Sequence, residues 1–390
     1  MRHQQHHHRP RHLRGPQQPT GRADTNPTHQ HPHCAHQRCH HHHAATDHGK
    51  VALVNRRPRT AVTLADVAEV AGVSKAAVSG VLNGKPRVAP STAQRILDAA
   101  RTLGYHANPT AQQLRSGRTN AIGFVIPELN RPYFGELATH LANQLDAQGQ
   151  HLVIQRSGGS KEHELAAAQF AQLRRYDAVI LSVLGVDPPD LESLGFSIPL
   201  ILLGEKSMPG AHPQVIMDNE AGAHNAVTHL LTHGATRIVM LGGSHSPDRN
   251  DMTRRRTDGY RSAHCDTNHP LNEELIVELT GVGPEAGYHA ITTLIDAGTP
   301  FDAVFAVTDV VAIGAMRALA DAGFTIPGDV QVIGFDDITD GCYTIPRLSS
   351  VNPHKERIAQ AVLDLIAEPE TAPQAVTIPT TLTLRESTQR

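Results

Sequence analysis

The stretch TLADVAEVAGVSKAAVSGVLNGKPRV, residues 63–88, has the pattern of two short helices separated by one glycine. Thr63 is a natural N-cap, and Asp66, three residues later, can return the hydrogen bond in a capping box. Gly72 permits the left-handed backbone that ends a helix in a tight turn, and Ser74 can cap the second helix. Two helices joined in this way form a helix-turn-helix, whose second helix can lie in the major groove of DNA.

A third helix is predicted to begin near Pro90, which suits a first helical position, and to stop at Gly104. Apolar residues at helical spacing predict a shared inward face for the three helices: Leu64, Val67, Ala68, Ala71, Val78, Val81, Leu82, Ile96, Leu97, Ala100 and Leu103. The outer face of the second helix is left with Lys75, Ala76, Ser79, Gly80 and Asn83. The polar members of that set can reach bases or phosphates. The alternative is a small helical packing module that binds no nucleic acid.

Charge divides the chain into a basic and an acidic part. Residues 55–118 contain ten Lys and Arg against three acids, whereas residues 119–390 contain 18 basic and 33 acidic residues. A small basic module joined to a large acidic one indicates a polyanion-binding head on a body that avoids polyanions. The alternative for the basic part is an ordinary basic surface patch.

The composition bears on where the protein works. No run approaches the roughly 18 apolar residues that a membrane helix needs, and no apolar signal segment is present at the N-terminus. Cys34 and Cys39 lie near the N-terminus, while Cys265 and Cys342 are far apart in the body. This pattern favours free thiols in a reducing compartment. We therefore expect a cytoplasmic, nucleoid-associated protein.

Residues 1–58 form a His-rich tail that is predicted to be disordered, because it cannot bury enough apolar surface to offset the entropy of ordering. Cys34, His36, Cys39 and His40 resemble a metal cluster and can bind Zn²⁺ or Ni²⁺ adventitiously. No second ligand pair follows at finger-like spacing, so no structural metal site is expected. A misassigned start codon, with the tail as a translated leader, is an open alternative.

From residue 120 onward, short apolar runs alternate with longer amphipathic ones. Strands are predicted at 121–126, 151–155, 178–183, 200–204, 214–217, 237–243, 275–281, 303–309 and 330–337. Helices are predicted at 131–148, 161–175, 220–233, 284–297 and 310–322. This alternation predicts doubly wound parallel sheets, and a break near 214–219 favours two lobes.

Residues 63–88, continued by RVAPSTAQRILDAARTLGYHANPTAQQLRSGRTNAIGFVIP, resemble the DNA-binding head of the lactose-repressor (LacI-type) family of bacterial transcription regulators. The resemblance extends to about Ser387. It implies that NPTAQQL, residues 108–114, is a hinge helix that folds on operator DNA and enters the minor groove as a pair. It also implies that Leu114 wedges between base pairs with Ala111 beside it. Such a segment is too short to be a stable helix alone, and an apolar wedge kinks DNA.

The resemblance implies that Lys75, Ala76 and Gly80 occupy the positions that most distinguish operators. Two of these side chains are very small, so Lys75 is expected to carry much of the direct readout. The candidate DNA-binding residues are Thr63, Ser74, Lys75, Ala76, Ser79, Gly80, Asn83, Asn108, Ala111 and Leu114.

The body resembles the family's effector-binding core, which is similar to periplasmic sugar-binding proteins and closes two lobes over a small molecule. By that resemblance, Tyr133 or Phe134 offers a ring face to a sugar, Arg256 of RRRTDGY holds the effector, and Asp309 accepts hydrogen bonds from its hydroxyls. Arg131 stands where the family usually has Asn. The alternatives are that Phe134 is simple core, that Arg256 belongs to a solvated run, and that Asp309 caps the helix that follows it.

The expected fold is an N-terminal all-α helix-turn-helix head with a hinge helix, followed by a two-lobed, periplasmic-binding-protein-like α/β core of doubly wound parallel sheets. The expected domains are the tail 1–58, the head 60–106, the hinge and linker 107–118, and the effector-binding and dimerisation core 119–390. No leucine-heptad tail follows Leu384, which favours a homodimer over a tetramer.

The resemblance favours a repressor whose affinity for double-stranded operator DNA is controlled by a carbohydrate effector. Dinucleotide, Walker and GxSxG motifs are absent from the sequence, so no enzyme activity, no cofactor, no catalytic residue and no membrane partner is expected. A solute-binding receptor is the alternative, since it shares the two lobes. It would need an export signal and no basic head.

Overall fold

The computed structural model describes residues 62–82, 84, 87–105, 118–173, 176–204, 206, 208, 210, 212–249, 251–368 and 375–389. The predicted tail 1–58 lies outside the described residues. So do four of the candidate DNA-binding residues: Asn83, Asn108, Ala111 and Leu114. The domain boundaries proposed from the sequence stay predictions.

The head contains three helices: α1 Leu64–Ala71, α2 Lys75–Leu82 and α3 Pro90–Leu103. The predicted capping box is confirmed, since Thr63 and Asp66 exchange hydrogen bonds at the start of α1. Ser74 Oγ accepts from Ala77 N at 3.2 Å, as expected of a cap. Gly72 and Gly104 end their helices at φ values of 63° and 65°. The local rules of capping and turn formation therefore account for the boundaries of α1 and α3.

A small apolar core holds the head together. Val67 from α1, Val78 from α2 and Ile96 from α3 are each fully buried and pack in one cluster. Arg95 adds a polar tie, because its Nε donates to Ala71 O at 2.9 Å and so links α3 to the end of α1. The outer face of α2 does not take part in this core, and its residues Lys75 and Ala76 are exposed.

The core consists of alternating strands and helices. Its first part contains β1 Ala121–Ile126, α4 Pro132–Asp146, β2 His151–Arg156, α5 Lys161–Leu173, β3 Ala178–Ser182, α6 Pro188–Glu192, β4 Leu200–Leu203 and β5 Gln214–Met217. Its second part contains α7 Asn219–Thr232, β6 Ile238–Leu241, α8 Met252–Asp266, β7 Ile276–Val277, α9 Pro284–Asp296, β8 Ala303–Ala306, α10 Asp309–Asp321, β9 Gln331–Phe335 and β10 Ser349–Asn352. The chain ends with α11 Lys355–Ala367, β11 Ala375–Ile378 and β12 Thr381–Thr383.

Two six-stranded sheets define the two lobes, and the predicted two-lobed fold is confirmed. Lobe 1 has the strand order β11-β5-β4-β3-β1-β2, and lobe 2 has β12-β10-β9-β8-β6-β7. All pairings are parallel except that of β10 with β12. The chain crosses between lobes three times: after β5, after β10 and after β11. The first crossing lies at the predicted break near 214–219.

The sequence pattern missed part of this fold. Strands β10 to β12 and helices α6, α8 and α11 were not predicted, and β7 is shorter than the predicted 275–281. Strand β10 escaped because it begins with Ser349 and Ser350, which are fully buried yet polar. Their hydroxyls are satisfied by Thr388 Oγ1 at 2.8 Å and by Asp309 Oδ1 at 2.6 Å. A hydrophobic pattern cannot reveal such a strand.

Helices α9 and α10 of lobe 2 cross at unusually short range, and two glycines make this possible. A Cβ at Gly314 would overlap the carbonyl of Pro284, and a Cβ at Gly287 would overlap the carbonyl of Val311. The crossing therefore depends on hydrogen as the side chain at both positions.

Candidate functional site

A concave surface on the head gathers the candidate DNA-binding residues that the structure describes. Its lining is Thr63, Leu64, Ala65, Ser74, Lys75, Ala76, Ala77, Ser79, Gly80, Arg87 and Val88. Six predicted residues thus come together around the start of α1 and along α2. Arg87 was not singled out from the sequence, although its place in the basic exit of the motif was a usable signal.

The physical character of this surface suits an anion. The first N–H groups of two helices border it, and helix N-termini favour negative charge. Lys75 and Arg87 are exposed and add positive charge. Ser74 Oγ accepts from Ala77 N, so its own O–H can be donated to a phosphate oxygen.

Thr63 differs from Ser74 in how it can act. Its backbone N–H and its hydroxyl both donate to Asp66 Oδ2, at 2.7 and 2.8 Å. These bonds lower the pKa of Asp66, the backbone bond contributing most. Thr63 therefore shapes the surface by fixing the start of α1, since both of its donors are engaged within the head.

A second concavity lies between the two lobes, where the carboxyl ends of their strands face each other, and it has a volume of about 290 Å³. Lobe 1 contributes the polar residues Arg131, Ser182 and Lys206 to its lining. Lobe 2 contributes Arg249, Asp251, Thr253, Thr308 and Asp336. The carboxyl edge of parallel strands is where open α/β sheets bind ligands. This concavity is called the cleft below.

Tyr133 and Phe134, the two aromatic candidates from the sequence, line the cleft at the start of α4. Both are also buried, and their rings meet edge to face with centroids 5.2 Å apart. Phe134 is therefore a core residue that also forms part of the cleft wall, so the structure is compatible with both interpretations of it. The rings can offer an apolar wall to the carbon face of a small ligand.

Arg256 is fully buried and is not among the residues that line the cleft. The alternative of a solvated run is wrong for this residue. Its Nε donates to Asn219 Oδ1 at 2.8 Å, a terminal nitrogen donates to Val307 O, and the guanidinium lies 3.4 Å from the centroid of the Phe335 ring. Its other terminal nitrogen is 3.8 Å from Asp336 Oδ1. Arg256 therefore lies behind the cleft lining and contacts residues next to it, including Asp336.

Asp309 also lies behind the cleft wall and is not part of the lining. It is 1% exposed, and its two oxygens accept from Ser350 Oγ at 2.6 Å and from Ile338 N at 2.8 Å. Burial, followed by the charge of Asp336, raises the pKa of Asp309 well above its ordinary value. The capping alternative also needs correction, because Thr308 is the N-cap of α10 and Asp309 is its first helical residue.

Sequence reasoning missed Asp336, which lines the cleft directly after β9. Asp336 and Asp337 have φ values of 112° and 46°, which side chains rarely adopt and which the surroundings must enforce. Lys355 supplies one such constraint, since its Nζ donates to the carbonyl of Asp336 and, at 3.0 Å, to that of Asp337. The paired acids after a buried strand were a usable signal.

The same lysine connects the two lobes. Lys355 Nζ lies 3.1 Å from Glu136 Oε2 on α4, and Glu136 Oε1 accepts from Thr339 N at 2.7 Å. Burial opposes ionisation of Glu136, but these partners hold its pKa below the ordinary value. Helix α4, which carries the aromatic pair, is thereby tied to the segment that follows Asp336.

A buried carboxylate shapes the lobe 1 wall. Glu164 is fully buried and accepts from the backbone N–H groups of Leu184, Gly185 and Val186 at 3.0 to 3.2 Å. Burial raises the pKa of Glu164, and the three N–H groups act against that rise. The segment after β3 is thus fixed where Ser182 and Leu184 meet the cleft.

The cleft as a whole suits a small ligand that carries hydroxyls. Thr308 and Asp336 offer oxygen acceptors on one side, while the aromatic pair offers an apolar surface. Charged acceptors strengthen hydrogen bonds to hydroxyls. Within the described residues, no group of three or more His, Cys, Asp or Glu side chains could hold a metal ion. No described helix has the length and apolar character needed to cross a membrane.

The chain is similar to known proteins over both parts of the fold. Residues 63–108 match the model of bacterial regulatory proteins of the lacI family, and residues 227–388 match the periplasmic binding protein-like domain. The HTH-type transcriptional regulator AscG of Escherichia coli strain K12 is 35% identical over 310 residues, covering 78% of this chain and 91% of AscG.

Solved structures give the same result. A LacI-family regulator from Sanguibacter keddieii DSM 10542 matches with a TM-score of 0.62 at 34% identity, over 69% of this chain and 98% of the other. The complex of the transcriptional regulator CelR with cellobiose matches with a TM-score of 0.60 at 28% identity, over 84% of this chain and 99% of the other.

Proposed function

Since the chain belongs to the lacI family of bacterial regulatory proteins and is a DNA-binding transcription regulator, we propose that it is a repressor controlled by a carbohydrate-like effector. The effector binds in the cleft and changes operator affinity by favouring one arrangement of the lobes. The observation that carries this proposal is the polar cleft, whose walls come from both lobes. The helix-turn-helix has a separate apolar core, so a ligand in the cleft can act on the lobes without unfolding the head.

The head contacts DNA through Ser74, Lys75, Ala76, Ser79, Gly80 and Asn83, with Thr63 fixing the start of α1 beside them. The hinge contacts DNA through Asn108, Ala111 and Leu114. The concave surface at the start of α1 and α2 supports this assignment for the described members. Arg87 joins them as a phosphate contact. Lys75 is the longest polar side chain at the start of α2, so it is the residue best placed to reach a base edge.

Lys75→Ala is expected to weaken binding to the true operator by about 1–3 kcal/mol, the usual contribution of a base contact, and random DNA much less. The measurement is a titration of both DNAs at one fixed salt concentration, because the phosphate contribution depends on salt. Arg101→Ala is the matched control, since Arg101 is an exposed cation of the head that pairs with Asp98 and does not line the concave surface. An equal loss on both DNAs for Lys75→Ala would reduce Lys75 to a phosphate contact.

The effector contacts belong to Tyr133, Phe134, Thr308 and Asp336, while Arg256 and Asp309 act on the effector through the residues they hold. The cleft lining and the buried hydrogen bonds of the last two support this division. A thermal-shift screen of sugars on the purified full chain tests it first, because a ligand of the native state raises the melting temperature. Sugars that raise it should also change operator affinity; a regulator unresponsive to every such ligand would contradict the proposal.

The protein acts as a homodimer. One general rule and one observation support a second copy. Operators read by a helix-turn-helix repeat their half-sites with two-fold symmetry, and lobe 2 exposes large apolar side chains on one loop. Tyr343 is 82% and Ile345 is 98% exposed, just before β10. Exposed apolar side chains gathered in one place mark interaction surfaces.

Ile345→Asp is expected to convert the dimer to monomers and to reduce operator affinity more than tenfold, since a charge at a dimer contact must be desolvated and only a dimer presents two heads. Sedimentation velocity gives the oligomeric state, and a gel-shift titration gives the affinity. Leu173→Asp is the control, because Leu173 is 80% exposed on α5 of lobe 1. A dimer that survives Ile345→Asp but not Leu173→Asp would move the interface to lobe 1.

The proposal assigns no catalytic reaction and no cofactor to this protein, and it places the protein in the bacterial cytoplasm, where its operator DNA lies. The regulatory relatives support both points. A solute-binding receptor, which shares the two lobes, is not retained because such a receptor has no use for the basic head.

A further inference from the structure

We propose that the effector is an anionic polyol, a sugar that carries a phosphate or a carboxylate, and that Arg131 selects the anionic group. This inference rests on the proposed function, because it concerns the same cleft. It goes further by assigning the charge of the ligand and its orientation between the lobes.

The first observation is an available cation on the lobe 1 wall. Arg131 occupies the N-cap position of α4, and its side chain makes no capping hydrogen bond. Within the described residues, the Arg131 guanidinium makes no hydrogen bond and no close ion pair, and it is half-buried and lines the cleft. Its charge does act on Glu128, whose pKa is lowered mainly by the hydrogen bond from Arg156 and further by Arg131. A planar guanidinium with free donors matches a carboxylate or a phosphate in bidentate geometry.

A second cation lies on the same wall. Lys206 lines the cleft, and the exposed fraction of its side chain is only 18%. Its Nζ donates to Val186 O at 2.8 Å and pairs with Asp187 Oδ1 at 2.6 Å, so it adds less positive potential to this wall than Arg131 does. Helix α4 also begins here, so its N-terminal end adds to the positive potential of this wall.

The lobe 2 wall has the opposite character. Its arginine, Arg249, is already bound to Asp251 through two nitrogens at 2.9 and 2.6 Å. Asp336 and Thr308 present oxygens instead. Arg256 lies 3.8 Å from Asp336 Oδ1 and offsets part of its charge, but a carboxylate accepts hydrogen bonds from hydroxyl groups and offers no donor to a ligand anion. The cleft is thus polarised, with anion recognition on lobe 1 and hydroxyl recognition on lobe 2.

The size of the cleft limits the ligand. A volume of about 290 Å³ lies just below the roughly 300–1,000 Å³ that ligand pockets usually occupy. One sugar ring with one anionic substituent suits this space better than an oligosaccharide does. Such a ligand bridges both lobes, so its charge and its hydroxyls would together stabilise the closed arrangement.

The test is isothermal titration calorimetry of the full chain with matched pairs of ligands. The neutral set is d-glucose, d-galactose, d-mannose and d-ribose; the anionic set is their terminal phosphates and the corresponding uronates and aldonates; sodium phosphate is titrated alone. We expect at least one anionic member to bind tenfold or more tightly than its neutral parent. Its affinity should fall as salt is raised, since ion pairs are screened. Comparison of phosphates with carboxylates identifies the anion.

Arg131→Asn is expected to reduce the advantage of the anionic ligand to threefold or less while leaving the melting temperature of the free protein unchanged. Arg131→Lys should retain part of the advantage, because lysine keeps the positive charge but cannot make the two parallel hydrogen bonds of a guanidinium. Arg317→Asn is the matched control, since Arg317 is an exposed arginine paired with Asp321 on α10 and does not line the cleft.

The outcomes separate this inference from the proposed function. A neutral sugar that binds as tightly as its anionic derivative, and changes operator affinity, overturns the anion inference and leaves a sugar-controlled regulator. An anion preference that survives Arg131→Asn overturns the assignment to Arg131. Phosphate alone binding as tightly as the sugar phosphates overturns the polyol part, and binding by no member of either set overturns both proposals.

Discussion

Gly314→Ala is expected to lower the free energy of unfolding of the two-lobed core by about 3 kcal/mol or more, the upper range for overpacking. The added methyl group would meet the carbonyl of Pro284, a backbone atom that cannot rotate away. Gly287 approaches the carbonyl of Val311 in the same way, so the two helices meet at two points. A methyl group at Gly314 would push α9 and α10 apart and loosen the second contact as well. Differential scanning calorimetry of the full chain should show the core transition several degrees lower.

Gly135→Ala is the matched control for this substitution. Gly135 is an exposed glycine of α4, and a Cβ there would meet no atom within 4 Å. Alanine in an exposed helix is favoured over glycine by about 0.5–1 kcal/mol, so the core transition should move up slightly. If Gly314→Ala matched Gly135→Ala, the close crossing of α9 and α10 would not exist in solution.

Asp336→Asn is expected to weaken effector binding by about 10- to 100-fold, which corresponds to the loss of a hydrogen bond to a charged group. Operator affinity without effector should survive, because the head has its own core. Asp309→Asn should change effector binding by threefold or less. Burial raises the pKa of Asp309, and an amide there keeps both hydrogen bonds, since it can accept from Ile338 N and donate to Ser350 Oγ.

The comparison between the two asparagine variants decides which aspartate meets the ligand. Effector titrations monitored by operator release give both affinities, and the melting temperature of each variant checks its fold. A large loss for Asp309→Asn with little change for Asp336→Asn would return the ligand contact to Asp309 and contradict the arrangement described above.

The head could be predicted from the sequence nearly in full. Thr63, Gly72, Ser74 and Gly104 act through bonds or torsions within a few residues, so local rules are sufficient to define α1 and α3. The apolar strands of both sheets were predictable for a related reason. Strands buried on both faces, such as 121–126 and 178–182, are continuous apolar runs that stand out from their surroundings.

The cleft was harder to predict, because it depends on which direction a side chain faces. The motif around Arg256 identified an important arginine, but only the fold shows that this side chain points to Asn219 and Phe335. Asp309 and Asp336 are both acids that follow a buried strand, and their sequence contexts do not tell them apart. Distant bonds, such as that from Ser350 to Asp309, separate the supporting acid from Asp336, which lines the cleft.

The three crossings between the lobes have a consequence for building chimeric regulators. Lobe 1 is completed by α11 and β11, which follow β10 of lobe 2, so neither lobe corresponds to one continuous piece of gene. Exchanging a single lobe with a relative requires three junctions, near residues 218, 353 and 379. A chimera joined only at the first junction would combine β11 from one parent with β5 from the other, and its lobe 1 sheet would be a hybrid. Recombination should therefore exchange the head freely but keep the two lobes together.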